Sequence, residues 1–184
     1  MTPKTTDSSK TTITELMIPA YSNLGGKIHG GVLLSLMDKV AYACATKHAG
    51  NYCVTASVET VDFLHPVEVG DLVSMTARVN YVGRSSLVIG IMVMAENVKE
   101  GTSKHTNTSY FTMVAKDENN LPVEVPPLQL SSEEEIITFY QIMFRKKLKS
   151  YIKEKIKQNK EENNIDKILK EIESERCKVA INES

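Results

Sequence analysis

The chain has 184 residues and 20.5 kDa, with 41% hydrophobic and 24% charged residues and a formal charge of −1, which fits one globular domain plus an appendage. A domain of that size buries a core without disulfides or a structural metal, and three cysteines at unrelated spacings, Cys44, Cys53 and Cys177, argue for a reducing compartment rather than a metal cage. Near-neutral charge argues against bulk nucleic-acid binding, and no run approaches the ~18 apolar residues of a membrane span, so a soluble cytoplasmic protein is expected.

Residues 1–12 are rich in Thr, Ser and Lys and are expected to be disordered. Ile13 to Ile18 alternates as a short strand, stopped by Pro19 and a loop holding Asn23, Gly25 and Gly26. Gly30-Gly31 then opens a run from Val32 to Ala45 whose apolar residues recur at helical spacing until Gly50, which predicts one long, largely buried helix. Four further stretches alternate and are rich in β-branched residues: Tyr52 to Phe63, Leu72 to Val82, Ser86 to Glu96 and Thr102 to Ala115. One helix among five antiparallel strands cannot build a doubly wound parallel sheet, which needs a crossover helix between successive strands. The expected class is therefore α+β, an antiparallel sheet wrapped around one central helix, with open edges that favour a dimer continuing the sheet.

Residues 13–118 are assigned to this domain, 119–130 to a linker marked by Asn119, Asn120, Pro122, Pro126 and Pro127, and 131–184 to a charged helical extension. There Ser131-Ser132 precedes Glu133, Glu134 and Glu135, a cap followed by acids that suit a helix dipole. Ile137, Tyr140, Phe144, Leu148, Tyr151 and Ile152 follow at spacings of three or four, and a weaker pattern, Ile165, Ile168, Leu169 and Ile172, succeeds the Asn163-Asn164 break. Residues 145–160 hold eight basic side chains against Glu154 alone. Such a run could meet an anionic ligand, a lipid surface or another protein, but a solvated helix face is the simpler reading.

Four features could carry chemistry. The glycine turn Ile28-His29-Gly30-Gly31 opens a helix, where unpaired amides can hold an anion or polarise a carbonyl. A tight entry to a buried helix explains the glycines equally well. Asp38 follows Gly31 by seven positions and lies four from both Leu34 and Tyr42, on a face expected in the core; a buried carboxylate there is paired, protonated or functional. His29 is more often a hydrogen-bonder than a catalyst, and His48, His65 and His105 lack metal-ligand spacing. Gly83-Arg84-Ser85-Ser86 is either a phosphate grip or an ordinary hairpin.

Taken together, Leu36-Met37-Asp38 on the helix, Val54-Thr55-Ala56-Ser57-Val58-Glu59, Asp62-Phe63, Val69-Gly70-Asp71 and Val82-Gly83-Arg84-Ser85-Ser86 resemble the hotdog-fold acyl-CoA thioesterases over about residues 13–117. The likeness is greatest to the cytosolic acyl-CoA hydrolases and their bacterial short- and medium-chain relatives. The resemblance implies hydrolysis of acyl-CoA to fatty acid and CoA, with Asp38 as general base or nucleophile. It further implies amides near Gly30 and Gly31 as the oxyanion hole, Asn23 positioning water, and His29 nearby in a role that does not transfer directly. Thr55, Ala56, Ser57 and Val58 would line the pantetheine channel, and Arg84, Ser85 and Ser86 would meet the CoA phosphates. The site would form where two subunits meet, in a dimer or a dimer-based tetramer or hexamer. No metal and no cofactor beyond the substrate's own CoA is implied. Two other functions stay open: a non-catalytic acyl-CoA-binding or assembly module, and a hotdog hydratase or dehydratase.

Overall fold

The computed structural model describes residues 1–161 and 164–180. In chain order it holds β1 (Lys4–Thr5), α1 (Thr6–Ser9), β2 (Thr11–Leu16), a 3-10 turn (Pro19–Tyr21), α2 (Gly30–Ala49), β3 (Tyr52–Val58), β4 (Leu72–Val82), β5 (Ser86–Asn97), β6 (Thr102–Lys116), β7 (Leu128–Gln129), α3 (Glu133–Glu161) and α4 (Ile165–Ile172). Two compact units divide the chain, Met1–Ile142 and Met143–Ser184. Lys160, the last of the basic run, has no described side chain, and Asn163 of the expected break lies outside the described residues.

In the first unit five antiparallel strands run in the order β2-β4-β5-β6-β3, and α2 packs against them, as the α+β expectation had it. The pattern is physical: Val73, Met75, Ala77 and Val79 alternate inward from β4, Leu87, Ile89, Ile91, Val93 and Ala95 from β5, and all are sealed against Leu33, Met37, Val40, Ala41 and Cys44 of α2. On the outer face, hydroxyl pairs join neighbouring strands, Thr12 with Thr76 and Thr14 with Ser74, each at 3.0 Å. α2 ends at Gly50, whose φ of 70° suits a residue without a Cβ and whose amide donates to Thr46 O at 2.8 Å.

Four boundaries differ from those the sequence suggested. The first twelve residues, expected to be disordered, form β1, α1 and the start of β2, with Thr6 and Ser9 buried. The reason is a set of partners that polarity alone does not reveal. Lys4 Nζ donates to the carbonyls of Lys47 (3.1 Å) and His48 (2.7 Å) in the last turn of α2, where carbonyls lack helical partners, and Thr6 Oγ1 donates to Glu135. That hydrogen bond, more than any other cause, holds the Glu135 carboxyl below its ordinary range.

Residues 119–130, expected as a linker, belong to the body instead: Val123 N donates to Ala115 O (3.0 Å), Val125 N to Arg84 O (2.9 Å), Val125 is buried, and β7 pairs in parallel with β1. The helical extension does not begin as a separate element either. The start of α3 packs on the first unit, with the Phe139 ring 4.8 Å from that of Tyr81 and Ile142 buried. Finally β3, predicted to reach Phe63, stops at Val58, because Glu59 onward leaves the sheet.

Candidate active site

The chain enters α2 from a pinned loop. Ile28 N donates to Val67 O and His29 N to Tyr21 O, both at 2.9 Å, and Lys27 pairs with Glu68. Asn23 Oδ1 accepts from the amides of Gly25 (2.9 Å) and Lys27 (3.2 Å), so this side chain organises the loop with its oxygen. His29 caps the helix with no side-chain hydrogen bond; its carbonyl accepts from Val32 N (2.9 Å) and Leu33 N (3.4 Å). The amides of Gly30 and Gly31 precede those first helical bonds, at the end where the helix dipole is positive.

The two glycines are not equivalent. A Cβ on Gly30 would come within 3.3 Å of the Phe63 ring, whereas one on Gly31 would meet nothing within 4 Å. A methyl group at Gly30 would press on the aromatic ring above it, whereas Gly31 leaves its surroundings open. Phe63 is held there by the segment that follows β3, through Glu59 N to Tyr110 O (3.0 Å) and Leu64 N to Thr106 O (2.9 Å).

Two turns along α2, Asp38 Oδ1 accepts a hydrogen bond from Thr55 Oγ1 at 2.6 Å. Met113 Sδ also lies 3.3 Å from that hydroxyl, but Thr55 has one proton to give and the carboxylate is the stronger acceptor. The pairing of β3 with β6 shifts between Thr55 and Ser57, a bulge at Ala56 on an edge strand, and bulges re-aim the side chains beside them. Asp38, Lys39, Tyr42, Tyr52, Cys53, Val54 and Thr55 line an open depression. The rings of Tyr42 and Tyr52 stand 6.0 Å apart at its rim, tilted by 60°.

Asp38 is not in the chain's own core, contrary to expectation. It is exposed, Tyr42 is 41% exposed and Leu34 is only half-buried, because this stripe of α2 turns away from the sheet that seals the neighbouring one. The two buried cysteines of this unit offer no alternative nucleophile. Burial pushes the Cys44 thiol up to about 12 and raises that of Cys53, so neither forms the reactive thiolate near neutral pH.

The structure thus joins Asp38 to Thr55 and sets Gly30 and Gly31 on the same helix. Ala56 and Val58 lie exposed and Ser57 half-buried along the edge strand. Arg84, Ser85 and Ser86 form the β4–β5 hairpin, whose backbone is fixed by Gly83 N to Ser86 O (2.7 Å) and Ala115 N to Ser85 O (2.9 Å). This hairpin is not beside Asp38 within the chain: Ser86 pairs with Val114 and Val114 with Val54, so two strand spacings, about 10 Å, intervene. Sequence reasoning put Tyr42 on the face of Asp38 but missed Tyr52 and Phe63 as neighbours of these groups, and took Thr55 for a channel wall rather than the partner of Asp38. For Phe63 a signal existed, since a paired glycine at a helix start asks what approaches it.

A family model described as thioesterase superfamily matches residues 25–102. Protein VdlD of Helicobacter pylori is 40% identical over 146 residues, spanning 79% of this chain and 83% of its own. A hexameric acyl-CoA thioesterase, solved in its apo form, superposes with a TM-score of 0.79 at 33% identity, covering 82% of this chain and 97% of its own. An acyl-CoA hydrolase of Staphylococcus aureus, solved with butyryl coenzyme A, coenzyme A and coenzyme A disulfide, superposes with a TM-score of 0.77 at 30% identity, covering 86% of this chain and 96% of its own. Alanine variants of one asparagine, one aspartate and one threonine of that hydrolase have also been solved.

Proposed function

The chain belongs to the thioesterase superfamily, and from that premise we propose that it hydrolyses acyl-CoA thioesters to a free fatty acid and CoA, with Asp38 as the base. The observation that carries this reading is the Thr55–Asp38 hydrogen bond. In the S. aureus hydrolase, the asparagine, aspartate and threonine replaced by alanine are spaced 15 and 17 positions apart, and Asn23, Asp38 and Thr55 are separated by the same intervals.

The hydroxyl of Thr55 occupies one carboxylate oxygen and fixes its direction, leaving the other to accept a proton from water. The water oxygen then bonds to the thioester carbon as its proton passes to Asp38, and the carbonyl oxygen gains the negative charge. Donors aimed at that oxygen stabilise the transition state; losing one costs roughly 10²–10³ in rate in well-studied cases. The amides of Gly30 and Gly31 are suited to this, and the open space at Gly31 admits the oxygen. Collapse breaks the carbon–sulfur bond; a thiol of pKa near 8.5 leaves readily, so no strong acid is needed. Asn23, its oxygen engaged in the loop, retains an amide NH₂ group to direct the water.

Seven residues of helix separate Gly31 from Asp38, about 10 Å of rise, which is long for two groups acting on one carbonyl. The reading therefore sets Asp38 of one subunit against the glycine turn of a second copy. Support comes from the exposed stripe carrying Asp38, from the exposed edge strand with Tyr52 and Val58, and from the hexameric state of a structural relative. In this assembly Arg84, Ser85 and Ser86 hold the CoA phosphates, the pantetheine arm runs along Thr55 to Val58 past His29, and the protein works in the cytoplasm with no added cofactor.

Free-thiol release from a ladder of acyl-CoA lengths, measured on the full-length protein, tests the assignment. Turnover at one or more lengths is expected. Tight CoA binding without release at any length would instead make the chain a binding module, and hydration of crotonyl-CoA without thiol release would make it a hydratase.

A further inference from the structure

The depression beside Asp38 has two kinds of wall. Asp38 and Thr55 form a polar end, and beyond them stand Val54 and the rings of Tyr42 and Tyr52. Tyr42 follows Asp38 on α2 and Tyr52 opens β3, so the helix and the edge strand contribute one ring each. Their centroids are 6.0 Å apart, within the range of touching aromatic pairs, and the two rings therefore bridge helix and strand as one apolar surface. That surface is only half covered, with Tyr42 41% and Tyr52 56% exposed. Apolar rings beside a few placed polar groups are the make-up of a ligand wall.

A thioester leaves its carbonyl in two arms of opposite character. The pantetheine arm carries amides and the acyl arm is apolar, so the arm that gains from Val54 and the two rings is the acyl chain. Spacing sets its length. Tyr42 lies four helical positions after Asp38, about 6 Å of rise, and Tyr52 lies three strand positions before Thr55, about 10 Å. An extended chain advances about 1.3 Å per carbon, which sets the rings opposite roughly the fifth to eighth carbons beyond the carbonyl.

We propose that the paired rings of Tyr42 and Tyr52 are the acyl-chain subsite of this chain, and that they favour acyl groups of about eight carbons over short ones. The proposal rests on the reading that an acyl-CoA carbonyl sits at Asp38. Lys39, also at the depression, is exposed and can carry its amine out to water while its methylenes add to the apolar wall. The adenine of CoA is the other group that stacks on tyrosine. It is kept from these rings by distance, because about thirteen bonds separate the thioester sulfur from the nearest phosphate, about 16 Å when extended.

Thiol release from butyryl-, octanoyl- and dodecanoyl-CoA by the full-length protein tests the subsite. Burying a methylene completely is worth about fourfold in affinity, so rings that cover one side of the chain are worth about twofold. Four methylenes separate butyryl from octanoyl, and the ratio of their kcat/KM values is expected to be about 16, with dodecanoyl-CoA no better than octanoyl-CoA. Tyr42→Ala and Tyr52→Ala should each lower that ratio to about 4, and the double variant to about 1. Tyr42→Phe and Tyr52→Phe should keep it, since the ring makes the contact and the hydroxyl does not. The ratio is independent of the folded fraction, so general damage cannot imitate the result. An unchanged ratio in the double alanine variant overturns the proposal, including the case of equal losses on both substrates, the mark of rings that hold CoA or a second copy. Phenylalanine variants that fall as far as the alanine ones overturn it too. If the wild-type protein releases no thiol at any length, the hydrolytic reading fails and the subsite is still tested, by titration calorimetry with the same acyl-CoAs. Dissociation constants should then follow the same ratios, and binding that ignores acyl length, or no binding, overturns the proposal.

Discussion

The two sides of α2 do different work. Leu33, Met37, Val40, Ala41 and Cys44 are sealed against the sheet, whereas Asp38 and Tyr42, on the adjoining stripe of the same helix, face outward and Leu34 beside them is only half-buried. The first set anchors the helix to its own subunit, and the second stands clear of the chain's own core, where the proposed hydrolysis places the substrate. The difference teaches that one element can be fixed by one face and still present a carboxylate on another; under the proposed function, rigidity comes from the first and reactivity from the second.

Substitutions on each side should separate stability from rate. Met37→Ala removes a fully buried side chain and is expected to lower stability by about 2–5 kcal/mol in urea unfolding, with the turnover of the folded fraction little changed. Lost turnover at unchanged stability would erase the distinction between the faces. Thr55→Ala should do the reverse. A hydrogen bond to a charged group contributes roughly 1.5–3 kcal/mol, so kcat is expected to drop about 10- to 100-fold with the melting temperature nearly constant, and Thr55→Ser should recover most of it. Failure of the serine variant to recover would mean that the methyl group, not the hydroxyl, matters.

The paired glycines give a finer division. Gly30→Ala pushes a methyl group to 3.3 Å from the Phe63 ring and should cost about 1 kcal/mol of stability. Gly31→Ala has open space and should cost none, yet it should lower kcat/KM if a carbonyl oxygen or a partner approaches there. The smallest effect concerns the far end of the helix. His48 is buried with Nε2 2.9 Å from Pro126 O, and burial holds its imidazole below the ordinary 6.5. The folded state therefore binds fewer protons than the unfolded chain. Stability is full above about pH 6.5 and falls below it by at most about 1.4 kcal/mol per pH unit, a slope that His48→Gln should flatten in unfolding curves at pH 7.5 and 5.5.

Much of the fold was legible because its signals are local. The alternation from Leu72 to Val79 and the helical spacing from Val32 to Ala45 each name a face, and Gly50 marks the helix end. The first residues and the 119–130 segment were misread because their order rests on distant partners: Lys4 against the end of α2, Val125 against Arg84. The site divides in the same way. Asp38 stood out as an acid on an apolar helix, and the glycines as an unusual helix start. The hydroxyl of Thr55 beside Asp38, created by a bulge at Ala56, and the ring of Phe63 over Gly30 depend on register and chain path, which residue spacing does not carry. The exposure of Asp38 was hidden for a related reason: residue spacing places Leu34, Asp38 and Tyr42 on one stripe of the helix but does not say whether the sheet covers that stripe.

Asp38→Asn gives the most direct test, because it keeps the shape of the side chain and removes its basicity. Single-turnover thiol release from an acyl-CoA that the wild-type protein hydrolyses should fall by about 10²–10⁴, while CoA affinity, assembly mass and melting temperature stay at wild-type values. A rate within about threefold of wild type, under the same conditions, would contradict the role assigned to this carboxylate.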